Sequence, residues 1–408
     1  MKFPRLLTGL LLLPALSTAA RADWPQFRGN DASGKGDGKP PASPGTADVV
    51  WKEKLPGRGL SSPVIMGGKV FLTAASGPDQ QTLHVICLEE KSGKRLWERR
   101  FQATGRTMCH EKTCVAAPTP ASDGQRIFAL FSTNDLFCLD LEGNLIWLRG
   151  FTVDYPNASN SLGLASSPVL ADGVLVTQIE NDGDSFTAGL DPATGTNLWK
   201  ISRPKNANWT TPVIWRDPAG GCAVMVNSVE GVLALDPKTG KERWSLPKPG
   251  SSIPSSGISA KHLAVPRPGK GLAVWSLTTA GTAPEMVWES AQINSDTSSP
   301  VIHGTRVFSI NGAGVLSCAE LDSGDRPWKL RLEGPFSGSP VMSGSTLYAV
   351  SERGVLQCVD TTAPEGRITG KLPLEEAILC TPSLSGSAIY LRSDSHVWRV
   401  GRDEPAVP

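Results

Sequence analysis

Apolar residues in this chain come in short runs bounded by Gly, Pro, Asp and Ser, as in GKVFLTAA (68–75), QRIFALF (125–131) and STLYAVS (345–351). These runs are rich in β-formers, and no segment sustains a 3.6-residue apolar period, so the pattern predicts many short strands and scarce helix.

The strands fall into a repeat. One half-motif is Ser/Thr-Pro before an apolar run: SSPVI (61–65), PTPAS (118–122), SSPVL (166–170), TTPVI (210–214), SSPVI (298–302), GSPVM (338–342) and CTPSL (380–384), with SIPSSGI (252–258) as a degenerate eighth copy. The second half-motif closes each unit: CLEEKSGKRLW (87–97), CLDLEGNLIW (138–147), GLDPATGTNLW (189–199), ALDPKTGKERW (234–244) and CAELDSGDRPW (318–328), with a looser MVW at 286–288. The Asp-x-x-Thr-Gly segment reads as a tight turn in which Gly supplies positive φ and Asp caps the amides. The closing Trp is a plate suited to packing between sheets. Eight units of four strands predict an all-β, eight-bladed β-propeller over residues 48–402, with Trp51, Trp97, Trp147, Trp199, Trp244, Trp288 and Trp328 docking between blades. The eighth unit lacks an outer strand. VVWKEKL (49–55) supplies it, so the N-terminal strand closes the last blade and hides both edges. Residues 361–372 lack the turn motif and the Trp, which predicts an irregular outer edge for the seventh blade.

The first 22 residues carry Lys2 and Arg5, an apolar stretch from Leu6 to Leu16, and Ala20-Arg21-Ala22, the pattern of a signal peptide cleaved near Ala22. The expectation is an exported protein of the periplasm or the extracellular space. No cysteine near the cut offers a lipid-anchor site, and no later apolar run is long enough for a membrane helix. Residues 23–47 divide into DWPQFRGN, a clasp with Trp24 and Phe27 available to dock, and a Gly/Pro/Ser-rich stretch, 29–46, expected as an extended surface linker. Residues 403–408 form a tail. Loss of Lys2, Arg5 and Arg21 leaves 37 of the 40 basic residues against 39 acidic ones. A near-neutral surface argues against a nucleic-acid partner.

The Ala-x-Asp-x-x-Thr-Gly-x-x-x-Trp of 234–244 resembles the tryptophan-docking motif of the pyrroloquinoline-quinone (PQQ) repeat. Quinoprotein dehydrogenases share that repeat with the BamB family of outer-membrane assembly lipoproteins. The whole chain from DWPQFRGN onward is similar to PQQ-like propellers exported by planctomycete-type bacteria. The motif is specific for fold and poor in information on function. The enzyme branch implies PQQ, a calcium held by acidic and amide side chains, a catalytic aspartate and an adjacent Cys-Cys pair. This sequence has no adjacent cysteines and lacks long inserted loops. The scaffold branch implies a protein partner in the cell envelope.

Eight cysteines in an exported chain raise the question of disulfides. Cys87, Cys138, Cys318 and Cys358 share one repeat register, held by Gly189 and Ala234 elsewhere, so they read as small buried residues far from one another. Cys222 and Cys380 also fall in strands. Cys109 and Cys114 differ, because MCHEKTC lies in a connection that crosses one face toward the channel. Arg106 stands where haem attachment would need a cysteine, and zinc on Cys109, His110 and Cys114 would lack a fourth ligand. A disulfide between Cys109 and Cys114, closing the loop and displaying His110 and Glu111, is the expectation.

On the same face, Asn160, Asn208, Asp296 and Glu111 could hold a cation or simply solvate the channel mouth, and Trp209 beside Asn208 could meet a glycan or pack. No catalytic set and no metal cluster assembles from the sequence. The reading is an exported, monomeric, non-catalytic BamB-like scaffold without cofactor. A quinone- or calcium-dependent oxidoreductase and a glycan-binding propeller are the alternatives.

Overall fold

The computed structural model describes residues 23–158 and 161–402; the expected signal peptide, Asn160 and the tail 403–408 lie outside the described residues. Eight antiparallel sheets follow one another along the chain, as expected from the repeats. Blade 1 shows the plan: Val64–Met66, Lys69–Ser76, Thr82–Glu89 and Arg95–Gln102, in order from the channel outward. Helix among the described residues is limited to the single turn Phe151–Asp154 and two 3-10 turns.

The inner hairpin of blade 1 turns on Gly67-Gly68, both at positive φ (58° and 81°), between the paired Met66 and Lys69. That is the backbone a two-residue turn needs to match strand twist. The outer turn is built by the Asp-x-x-Thr-Gly motif. Asp236 Oδ1 accepts the amides of Lys238 (2.9 Å) and Thr239 (3.0 Å), and the Gly240 amide returns to the Asp236 carbonyl (2.8 Å).

The Gly of that motif has a second reason that the sequence reading did not contain. A Cβ on Gly240 would stand 2.5 Å from the indole of Trp199, the closing residue of the preceding blade. The same plate-on-glycine contact joins Trp51 to Gly93, Trp97 to Gly143, Trp147 to Gly195, Trp288 to Gly324 and Trp328 to Gly366. Except at Trp328, the indole nitrogen then donates into the neighbouring turn, as Trp199 Nε1 does to the Pro237 carbonyl (2.8 Å). Five of the docking Trp also face a small residue across their own sheet, whereas Trp51 faces Arg399 and Trp288 faces Val274. Cys87, Cys138 and Cys318 pair with Trp97, Trp147 and Trp328, and Gly189 and Ala234 with Trp199 and Trp244. Burial pushes the Cys87, Cys138, Cys318 and Cys358 thiols up to about 12, which leaves them inert at neutral pH.

The strand Val49–Lys54 pairs with His396–Val400 and completes the last blade. Its Trp51 donates to the Glu90 carbonyl of blade 1 (3.0 Å), so one short strand fastens two junctions. The seventh blade departs from expectation. Its outer strand, Arg367–Pro373, spans seven residues and pairs with Val355–Asp360 through a single register shift. Gly370 stands across from Cys358 where other blades carry Trp, and Ser43 packs against it, with Ser43 Oγ donating to the Thr369 carbonyl (2.7 Å).

Residues 29–46 are not a solvated linker. Gly29, Ala32, Ser33, Gly34, Pro40 and Pro44 are buried, and residues 23–40 touch all eight blades around the ring. Trp24 exchanges backbone bonds with Ile65 (2.8 and 3.1 Å), the Ser122 amide reaches the Pro25 carbonyl (2.8 Å), and the Leu170 amide reaches Gln26 Oε1 (2.9 Å). Asp31 pairs with Arg216 (2.8 Å), while Arg28 donates to the carbonyls of Ser256 (3.0 Å) and Pro300. Lys35–Gly36 then runs parallel to Val341–Ser343, and the Lys39 amide ends the circuit on the Gly386 carbonyl (2.8 Å). A stretch with few apolar side chains still docks, because the eight hairpins offer backbone partners that side-chain composition does not reveal.

Candidate functional site

The Ser/Thr-Pro half-motif starts the innermost strand of each blade, so its hydroxyl residue faces the axis. These residues form a closed belt. The amide of each one donates to the hydroxyl of the next blade: Ser62 to Thr119 (2.9 Å), Thr119 to Ser167 (3.0 Å), Ser167 to Thr211 (3.0 Å) and Thr211 to Ser255 (2.9 Å). Ser255 continues to Ser299 (3.0 Å), Ser299 to Ser339 (2.9 Å) and Ser339 to Thr381 (3.0 Å). Ser62 Oγ closes the ring on the Thr381 carbonyl (2.8 Å). The degenerate eighth copy is thereby explained: Ser255 keeps the belt position, while Ser256 replaces the proline.

Above the belt, two residues earlier in each blade, a second ring lines a cavity of about 470 Å³. Leu379, Leu60, Ala117, Ala165, Trp209 and Ile253 give an apolar arc over six successive blades, and Thr297 and Ser337 complete it with hydroxyls. Phe27 of the N-terminal segment reaches the cavity from the opposite face. The result is a cup open on one side.

The loop that carries MCHEKTC overhangs this cup. The Glu111 carbonyl accepts from Arg58 Nη2 (2.7 Å), the His110 amide donates to Leu162 (3.0 Å), and Lys112 Nζ reaches Glu352 of blade 7 (3.4 Å). The expected Cys109–Cys114 disulfide is absent: both are free thiols. A turn closed by the Thr113 amide on the His110 carbonyl (2.9 Å) separates them. Cys114 is buried with Phe131 and Phe137, where burial raises its thiol to about 12, whereas Cys109 lies beside Gln80 and Gly163. Backbone bonds, not a bridge, hold the loop.

Of the residues singled out from the sequence, His110 and Trp209 meet at the cup, joined by Lys112 and Leu162. Trp209 is half-buried, and its Nε1 donates to the Gly163 carbonyl (2.9 Å). Glu111 points away into solvent. Asp296 is exposed and caps the Gly312 amide (2.6 Å). Asn208 is buried and serves the blade interior instead of the mouth. Its Nδ2 donates to Glu180 (2.8 Å) and to the Asn227 carbonyl (2.6 Å), beside the buried Glu180–Arg203 ion pair (2.6 Å). Burial raises the Glu180 carboxyl despite that arginine.

Three groups outside the cup also escaped the sequence reading. Ser76 Oγ, His84 and Glu98 stand in relay order, at 2.7 Å and 2.9 Å. Glu98 is also taken by Arg95 (2.8 Å) and Arg100 (2.7 Å). Burial would raise its carboxyl, but the hydrogen bonds and charge of Arg100 and His84 outweigh it and hold it low. The cluster therefore reads as an ion-pair staple across blade 1. The other two are Arg28 and Arg392, both fully buried, with no carboxylate in hydrogen-bond contact among the described residues. Arg28 sits on carbonyls just behind belt residues Ser255 and Ser299. Arg392 donates to Ser61 Oγ (2.7 Å) and the Thr73 carbonyl (2.7 Å), behind Ser62. Burial lowers Arg28 to about 9 and lowers Arg392 as well.

The cup does not suit a calcium–quinone pair. Calcium takes six to eight oxygens with carboxylates among them. No carboxylate lines the cup, and no group of three or more His, Cys, Asp or Glu among the described residues could hold a metal.

The family model described as outer membrane protein assembly factor BamB matches residues 42–246 and 255–365. Among solved structures, BamB from Moraxella catarrhalis superposes with a TM-score of 0.63 at 15% identity, covering 88% of this chain and 99% of that one. Quinohemoprotein alcohol dehydrogenase from Comamonas testosteroni gives 0.68 at 13% identity, over 95% and 82% of the two chains. A europium-containing methanol dehydrogenase gives 0.69 at 10%, over 93% and 98%. Identities this low establish the shared propeller and nothing finer. No curated protein matches the sequence significantly.

Proposed function

Because the chain belongs to the PQQ-repeat family described as outer membrane protein assembly factor BamB, we propose that it is an exported, non-catalytic propeller that binds a protein partner in the cell envelope. The observation that carries this reading is the inequality of the two faces. One face is covered by residues 23–40, bonded to every blade. The other leaves a cup and an overhanging loop with Met108 and Leu162 exposed beside it. Exposed apolar side chains around a concavity are what partner surfaces supply. No helix among the described residues is long and apolar enough to cross a membrane. The lining of the cup, without carboxylates, speaks against the quinone-dependent alternative.

A photo-crosslinking residue placed at Met108, with Thr305 on the covered face as control, tests the assignment in the native envelope. An adduct with an envelope protein from Met108 and none from Thr305 is expected. Adducts from Thr305 alone, or from neither position, would reject it.

A further inference from the structure

We propose that the cup is a binding site for a small monocarboxylate with an apolar body, its head on the hydroxyl belt and its body against the wall above. The site goes beyond the partner reading: that reading rests on the exposed rim and the overhanging loop, and this one on the floor and wall of the cup.

The first observation is the state of the belt hydroxyls. All but Ser62 spend one lone pair on the amide of the preceding blade, as traced above. Ser62 alone donates, to the Thr381 carbonyl, and Ser62 alone does not line the cup. The seven others line it, are at most 4% exposed, and donate to no protein acceptor among the described residues. Buried donors without acceptors are unfavourable, and here seven converge on one space. A carboxylate, with about four lone-pair sites, is the acceptor-only group that answers a set of donors.

The second observation fixes the sign of the charge. Hydroxyls alone serve anions and cations equally. The lining, however, contains Lys112 and His110 and no acidic side chain, and Arg28 and Arg392 stand behind the belt with backbone oxygens as their main partners. Arg392 has the Asp394 charge nearby, but Arg28 has none, and an anion in the cup offsets a buried cation without counter-charge. Arg28 in particular is held below its usual range by burial alone.

The third observation sets the rest of the ligand. Six successive blades give Leu, Ala, Trp or Ile to the wall, so a sugar or a polyanion would leave polar groups unmatched there. About 470 Å³ suits one small molecule with a short apolar body.

Calorimetric titration of the purified protein with octanoate, octanol and octylammonium separates head from body, and acetate tests the head alone. Octanoate should bind one per chain, at least tenfold more tightly than octanol, with octylammonium and acetate weaker still. Equal binding of octanol and octanoate would overturn the carboxylate assignment, and no saturable octanoate binding would overturn the site. Ile253→Asp places a negative charge in the wall at a position already 46% exposed, where folding is not at stake. It should weaken octanoate at least tenfold while leaving the thermal midpoint near the parent value. Unchanged affinity in that variant would place the ligand elsewhere.

Discussion

At one end of the channel the hairpins of eight blades meet a continuous strip of chain, residues 23–40. At the other, inter-blade connections of unequal length leave a cup uncovered. On the covered end, backbone groups answer backbone groups: Trp24 with Ile65, Pro25 with Ser122, Gly34 with Met342, Lys39 with Gly386. On the open end, side chains line the space and hold donors to spare. The same repeat thus ends once in satisfied structure and once in unsatisfied chemistry. Stability should concentrate at the first end, and recognition at the second.

Trp24→Ala should produce the largest loss. Trp24 is 1% exposed, packs beneath Gly29 and belongs to the cluster that joins blades 1, 7 and 8. Truncating a buried Trp costs about 3–5 kcal/mol, read as a lower denaturant midpoint. A loss below about 1 kcal/mol would remove the distinction between the two ends, since exposed sites rarely exceed half of that.

How much of this was legible differs sharply along the chain. The blades were legible because Ser/Thr-Pro and Asp-x-x-Thr-Gly-x-x-x-Trp each encode a local physical device, repeated at a period. The closing role of Trp51 was legible for the same reason. The circuit of residues 23–40 was not, because its cohesion rests on backbone partners and on one buried arginine inside a stretch of linker-like composition. The belt was half legible. Its Ser or Thr stood in every copy of the half-motif, even in SIPSSGI, yet the hydroxyl served only as a spacing mark. Asn208 and Asp296 were chosen as polar residues near a mouth. Only coordinates separate a side chain facing a channel from one that bonds Glu180 or caps Gly312. The Cys109–Cys114 pair was read by spacing, whereas the turn between them sends one thiol into the core.

A middle-sized effect is expected where the open end touches ring closure. Glu376 accepts from Lys52 of the N-terminal strand (2.7 Å), from Ser395 (2.8 Å) and from His396 (2.8 Å). Burial alone would raise its carboxyl, but the hydrogen bonds from Lys52, Ser393, Ser395 and His396 outweigh it and bring it down to about 2. A carboxyl depressed on folding contributes stability above its unfolded value, and the contribution fades as pH falls toward the folded value. Glu376→Gln should therefore cost about 1.5–3 kcal/mol at pH 7. The gap to the parent should shrink by about half near pH 3, measured by urea midpoints across that range. A gap independent of pH would mean that the carboxylate's charge has no part in closing the ring.

The smallest effect should come from Lys112→Ala, and it sharpens the comparison from the other side. Lys112 is the visible strut of the overhanging loop, reaching from the first inter-blade connection to Glu352 of blade 7. Its contact is long, 3.4 Å, and its side chain is 58% exposed, so solvent screens the pair. Glu352 has a closer partner in Ser337 Oγ at 2.7 Å. The loop itself is held by the bonds of Arg58 to Glu111 and of His110 to Leu162, neither of which involves the lysine side chain. Removing the strut should shift the denaturant midpoint by less than about 0.5 kcal/mol. Octanoate affinity should nonetheless fall severalfold, because the lysine charge faces the cup whether or not it is paired. A mutation silent in stability and audible in binding is what a face built for recognition should show. A stability loss approaching that of Trp24→Ala would instead make the open end a second clasp.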